Sequence, residues 1–251
     1  MGRVVVMFPD YVGQAIGEDG GLFVSRVKKA FHGAIMVPIL NALPHSDLEK
    51  IAKKHTSPGF CEPVVAEAKG LLGTLIAGYT AVLEKYPGAL TVVRLDTAEH
   101  PPEAIPALVE LANDSKGMVI GDLSFTEDTL SRGSVDEFAH LDIFPELYRQ
   151  TTNGQISISC AHGFQAFAPG VLLPVLTEAQ KIVRLVEEKT KVNVQWGFDG
   201  AMVLGAVRAG VPVRIKNIQA ETLRDREPAK VAKQFSQALT VCRAFHDLQD
   251  V

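Results

Sequence analysis

The stretch Val92–Pro106, "VVRLDTAEHPPEAIP", decides how this chain is read. An apolar run ends in Asp96, Glu99 follows three residues later, and His100 then precedes the pair Pro101-Pro102. Prolines suit the first turn of a helix, where a missing N–H costs nothing. "EAIPALVELAND" continues the helical spacing to about residue 114. The preceding "ALTVVRL" (89–95) is apolar on both faces until Arg94, as a central parallel strand would be. The acids therefore stand where a buried strand empties into a helix.

Working outward, the same alternation recurs. Strands are predicted at 3–8, 33–40, 62–68 and 116–122, and helices at 20–32, 45–55 and 69–86, the last with Leu72, Leu75, Ile76, Tyr79, Val82 and Leu83 at helical spacing. A βαβα series implies a mostly parallel, twisted sheet with helices on both faces, an α/β fold. Ligands of such sheets bind beyond the carboxyl ends of the strands, the edge to which Asp96 belongs. Past residue 124 the texture changes. Residues 124–153 are polar and irregular, with one helix near 134–150, and "GQISISCAHGFQAFAPG" (154–170) holds one or two short strands around a turn at His162-Gly163. A helix at 170–190 with a break near Pro174, another at 198–210, an alternating strand at 211–221 and a helix at 227–245 complete the chain. No repeat or linker appears, so a single domain over 1–251 is expected, with halves 1–123 and 124–251.

A chain of 251 residues, 47% hydrophobic, can build a large core. Its net charge of −4 argues against a nucleic-acid partner. Cys61, Cys160 and Cys242 lack metal-type spacing, and three scattered cysteines fit a reducing compartment. The start "MGRVVVMFPD" reads as a first strand rather than a signal peptide, Gly2 lacks a myristoylation context, and no apolar run is long enough to span a bilayer. A cytoplasmic protein is expected. Association with a membrane surface stays open, because it needs no spanning helix.

Carboxylates at a strand end can hold a divalent metal against a diphosphate, accept hydrogen bonds from sugar hydroxyls, or act as a general base. They also have a plain structural use: Asp96 as cap of the helix after Pro101, and Glu99 as a solvated loop residue. Other candidates divide in the same way. His100 touches a phosphate or holds the loop. His162 shapes a turn near an acceptor or is a surface residue. Arg224, Arg226 and Lys230 clamp an anion, as guanidinium forks do, or form a solvated loop. Lys69 opens a helix whose N-terminus attracts anions, without a Walker motif. Ser159, Cys160 and His162 do not form a nucleophile elbow, and no GxGxxG follows a strand, which disfavours a dinucleotide-binding oxidoreductase.

"VVRLDTAEHPPEAIPALVE" resembles the segment of dolichol-phosphate mannose synthase and its relatives, the inverting polyprenyl-phosphate glycosyltransferases, in which a strand ends in Asp-x-Asp before His-Pro-Pro-Glu and a helix. "KGLLGTLIAGYTAVLEKYPGA", "KGMVIGDLSF", "SCAHGFQAFAPGVLLPVL", "WGFDGAMVLGAVRAGVPVRIKNIQAE" and "RDREPAK" are similar, in order, to further segments of that family, over roughly residues 65–245. The resemblance implies a GT-A fold with a nucleotide-binding half followed by an acceptor half. It also implies a nucleotide-diphosphate sugar as donor, Mg²⁺ or Mn²⁺ on Asp96 with Glu99, and an anionic acceptor such as a polyprenyl phosphate near Arg224–Lys230. Pro9 and Tyr11 match a substrate-binding motif, and Asp199 is the acid expected in the helix after Trp196.

The departures are as specific. The family's "DAD" reads "DTA" here, "PxYNE" reads "PDYVG", the base-recognising acidic pair after the second strand is missing, and Ser159 or Cys160 replaces an aspartate. Two readings follow. One is a nucleotide-sugar glycosyltransferase (a hexosyltransferase). The other is a catalytically silent protein of the same fold that binds a nucleotide or a protein partner.

Overall fold

The computed structural model describes residues 4–10, 20–40, 64–66, 70–87, 90–96, 100–124, 139–159, 163–191, 193–219 and 228–249. In chain order they form β1 (Val4–Asp10), α1 (Gly20–Ala30), β2 (Ile35–Leu40), β3 (Val64–Val65), α2 (Leu71–Lys85), β4 (Thr91–Arg94), α3 (Ile105–Ser115), β5 (Met118–Ser124), α4 (Phe144–Thr151), β6 (Gln165–Phe167), α5 (Leu172–Thr190), α6 (Phe198–Arg208), β7 (Val213–Gln219) and α7 (Pro228–Gln249). The architecture is α/β: a seven-stranded, mostly parallel sheet and seven α-helices among the described residues. The helix expected at 45–55 lies outside the described residues.

The chain divides into two compact units, Met1–Val119 with Gly163–Leu172, and Ile120–His162 with Leu173–Val251. In the first, the strand order is β3-β2-β1-β4-β6. β1 lies parallel to both β2 and β4, with Val5 opposite Ile35 and Val92, and Val4 through Phe8 are almost wholly buried. That explains a run with no polar alternation: a strand covered on both faces has no solvent side to mark. Pro9 lies beyond the last β1–β4 pair, Met7 with Arg94, and Pro38 precedes the first β2–β3 pair, Ile39 with Val64. Each proline stands where only one neighbouring strand is paired, a position that tolerates a missing N–H.

α2 buries Leu72, Leu75, Tyr79 and Val82 along one face. It begins two residues later than the periodicity suggests, because Gly70 adopts φ 92° and stands outside the helix while Thr74 Oγ1 donates to the Gly70 carbonyl at 2.8 Å. α3 closes in a Schellman turn. Gly117 N–H donates to Ala112 O at 3.2 Å and Lys116 N–H to Asn113 O at 3.3 Å, with Lys116 itself left-handed at φ 50°. The region 154–170 supplies one strand among the described residues, β6, which runs antiparallel to β4. A simple βαβ reading does not foresee that pairing.

In the second unit α5 runs unbroken through Pro174, which falls in its first turn, where no intrahelical N–H bond is lost. α6 is apolar and small-residued, and every position from Phe198 to Ala206 is buried. It lies so close to α5 that a Cβ on Gly205 would stand 2.7 Å from Val175 O and 2.8 Å from Ala179 N. Arg208 ties three helices: its Nε donates to Glu178 of α5 at 3.1 Å and its Nη1 to the Leu248 carbonyl near the end of α7 at 2.7 Å. β7 alternates only in its first half, because Ile218 is buried on the opposite parity from Val213 and Ile215. No helix among the described residues is long and apolar enough to cross a membrane.

Candidate functional site

β4 delivers the site. Its pairing with β1 ends as Leu95 N–H donates to Met7 O at 3.2 Å, and the next residue, Asp96, leaves the sheet with its side chain 37% exposed. Arg94 is the opposite case. It sits in the register of the sheet, opposite Gln165 of β6, with its side chain only 1% exposed. Its Nη2 lies 3.3 Å from Asp96 Oδ1. The guanidinium also passes directly beneath Gly163, where any Cβ would collide with it. Gln165 is fully buried, and its Oε1 accepts from Tyr79 Oη at 3.4 Å. A polar row thus crosses an otherwise apolar strand pair. A buried charge persists in such surroundings only when paired.

The turn after Asp96 is closed twice. Asp96 N–H donates to Nδ1 of His100 at 2.9 Å, and His100 N–H donates to Asp96 O at 3.3 Å. The first bond leaves Nδ1 as acceptor and places a neutral ring's proton on Nε2. His100 is 4% exposed, its ring stacked on Phe164 at 4.9 Å and 11°. These contacts tie His100 to Asp96 and suit the loop-holding role of the two that the sequence left open. The chain then enters a single 3₁₀ turn, Pro102–Ala104, before α3. There Glu103 receives a two-pronged ion pair from Arg26 of α1, Nε at 2.7 Å and Nη2 at 2.6 Å. Hydrogen bonding from Arg26 holds the Glu103 carboxyl below its ordinary range.

Pro9 is buried at the end of β1, in the same unit as Asp96 and His100. Asp199 and Lys230 belong to the other unit. Asp199 is 8% exposed in the first turn of α6, where the helix N-terminus favours an acid. The segment leading into that turn is held by Gln237 of α7: its Oε1 accepts from Gln195 N–H at 3.0 Å and Gly197 N–H at 3.1 Å. Lys230 is exposed in the first turn of α7. Tyr11, Lys69, Glu99, His162, Arg224 and Arg226 lie outside the described residues.

Two polar groups escaped the sequence reading. In the sequence Arg94 only ends an apolar run, yet a charge in a strand covered on both faces demands a partner, and Asp96 two residues on is the signal for it. Asp122, in β5, pairs with Ser159. Burial pushes its carboxyl up, while Ser159 pulls the other way. Among the described residues no three His, Cys, Asp or Glu side chains come together as a metal cage. Asp96 instead suits the manner in which Mg²⁺ and similar ions are held, by one or two carboxylates completed by substrate phosphates.

No family model and no curated protein matches this chain. Solved structures do. Glucosyl-3-phosphoglycerate synthase from Mycobacterium tuberculosis, in complex with Mn²⁺, UDP and glucosyl-3-phosphoglycerate, aligns with TM-score 0.61 at 13% identity, over 96% of this chain and 80% of that one. The same enzyme with Mn²⁺, UDP-glucose and phosphoglyceric acid gives TM-score 0.59 at 13% identity, over 96% and 80%. A further mycobacterial protein gives 0.59 at 15% identity, over 96% and 75%. At these identities the likeness is one of fold: the chain has a GT-A-like fold.

Proposed function

We propose that this chain is a nucleotide-sugar glycosyltransferase that moves a sugar from a nucleotide-diphosphate donor to an anionic acceptor. One observation carries the reading: the half-exposed carboxylate of Asp96 stands just past the end of β4, in the strand-end loop from which such folds contact phosphates. The complexes of the structural neighbours with Mn²⁺ and UDP support a uridine nucleotide and a divalent cation. In this reading Asp96, with Glu99, holds Mg²⁺ or Mn²⁺, which when bound would neutralise charge on the diphosphate. Pro9, Tyr11 and Lys69 serve the donor in a nucleotide-binding half, 1–123. His100 keeps Asp96 in place. His162, Arg224, Arg226 and Lys230 serve an anionic acceptor in the half 124–251. The acceptor oxygen attacks the anomeric carbon as the bond to the diphosphate breaks. Asp199 takes the proton where the acceptor is a hydroxyl, and a phosphate acceptor such as a polyprenyl phosphate needs no base. The neighbours' phosphoglycerate complexes favour a small anionic acceptor. Work in the cytoplasm, or at a membrane surface for a lipid acceptor, suits both.

The second reading is a silent binding protein of the same fold. It is favoured by the Arg94–Asp96 ion pair, which already supplies the carboxylate with a cation. A thermal-shift series with UDP, GDP and their sugars, with and without Mn²⁺, separates the two. A ligand at a hundred times its dissociation constant stabilises by about 2.7 kcal/mol. Stabilisation that needs Mn²⁺ and disappears in Asp96→Ala supports the enzyme. Metal-independent stabilisation that survives Asp96→Ala supports a nucleotide-binding protein, and no response to any of these ligands sinks the enzyme reading and leaves only a protein partner for the second. Release of UDP from UDP-sugar on adding phosphoglycerate or polyprenyl phosphate then identifies the acceptor class.

A further inference from the structure

We infer that Arg94 is a positioning residue for Asp96 and its built-in countercharge, so that the site takes up a divalent cation only together with a diphosphate. The inference rests on the proposed donor site and adds a residue to it. Three observations carry it. The Arg94 side chain is 1% exposed in a strand whose neighbours Val92, Val93 and Leu95 are buried and apolar, so its charge is held where water does not screen it. Its Nη2 reaches one oxygen of Asp96, Oδ1, at 3.3 Å. And the backbone at Gly163 lies against the guanidinium with no room for a Cβ, so the arginine cannot move toward that side without displacing that backbone.

The consequence follows from charge. Asp96 by itself offers a divalent cation one negative charge. With Arg94 beside it, that carboxylate is cancelled by the guanidinium, so the proposed Asp96–Glu99 pair offers one net negative charge instead of two, and the approaching ion meets a second cation at close range. A diphosphate restores the attraction by bringing its own negative charges and oxygens. Arg94 thereby fixes the direction of the carboxylate and makes metal uptake conditional on the donor.

The test is Mn²⁺ titration of the full chain, followed by the electron paramagnetic resonance signal of free Mn²⁺ and by calorimetry, with and without UDP. Wild type is expected to bind Mn²⁺ at least about tenfold more weakly without UDP than with it, a factor worth about 1.4 kcal/mol. Arg94→Met is expected to bind Mn²⁺ alone about tenfold more tightly than wild type, narrowing that gap, while Arg94→Lys keeps the wild-type pattern. Arg94→Gln, neutral but still able to donate beneath Gly163, is the second variant should the methionine disturb folding. If folded Arg94→Met or Arg94→Gln binds Mn²⁺ no better than wild type, the inference is overturned. It is overturned without any variant if wild type binds Mn²⁺ equally well with and without UDP. If wild type takes up no Mn²⁺ under either condition, the proposed metal site fails and this inference with it. Mn²⁺–UDP binding that ignores the charge at position 94 defeats this inference alone.

Discussion

Ser159 gives both its hydroxyl and its backbone N–H to Oδ1 of Asp122, at 2.6 Å and 3.2 Å. Burial raises the Asp122 carboxyl above its ordinary 3.8, and the Ser159 bonds offset part of the rise. Between 3.8 and the raised folded value, the folded chain keeps a proton that the unfolded chain has released. Stability from this group is therefore full at low pH and lost as pH rises through that window. Asp122→Asn, which still accepts from Ser159, lacks the loss. Its melting temperature minus that of wild type should increase as pH is raised from the ordinary carboxylate range toward neutrality. Parallel curves would show that Asp122 does not titrate this way.

Gln237 accepts from two backbone donors, Gln195 N–H and Gly197 N–H, through one side-chain oxygen, and a Cβ on Gly197 would press against it at 3.3 Å. Gln237→Ala leaves both donors and an empty volume. The expected cost in urea denaturation is about 2–6 kcal/mol, at about 1–3 kcal/mol for each donor that loses this acceptor. Gln237→Glu, which can still accept from both, should recover part of it. An alanine variant as stable as wild type would mean that the segment holds itself.

Gly205 is a packing glycine. Its absent side chain lets α6 approach the backbone of α5, Val175 O at 2.7 Å and Ala179 N at 2.8 Å from the Cβ position. Backbone cannot turn aside as a flexible side-chain tip does, so Gly205→Ala should destabilise by about 1–3 kcal/mol or more, as overpacking does. Gly210→Ala is the control. It has φ 65° with open space around it, so only left-handed strain of about 1–2 kcal/mol applies. Thermal melts in which Gly210→Ala is much the worse would contradict the α5–α6 contact.

Lys116 occupies the left-handed position of the Schellman turn after α3, at φ 50°, where glycine is the usual residue. Lys116→Gly relieves the Cβ clash there. A gain of about 1 kcal/mol is expected at equilibrium, with no change in donor binding. Destabilisation would point to a role for the lysine side chain that outweighs its backbone strain.

The apolar faces of α2, α3 and α7, the buried strands β1 and β4, and the strand-to-helix passage at Asp96 could all be read from the linear order of residues. Each depends on spacing within one element, and burial imposes that spacing directly. The same local logic erred by a residue or two where one backbone angle decides the boundary, at Gly70 and at Lys116, because φ is set by how the turn closes.

What the linear order left undecided was which distant segments meet. β6 enters the sheet antiparallel beside β4, Gly163 closes over Arg94, Ser159 finds Asp122, and Gln237 holds the approach to Asp199. Each joins residues dozens of positions apart through a contact that periodicity does not encode. Arg94 shows the difference best: hydrophobic pattern placed it in a strand, and only the packing of a second strand and a glycine turn against it made it a buried charge with a carboxylate to hold.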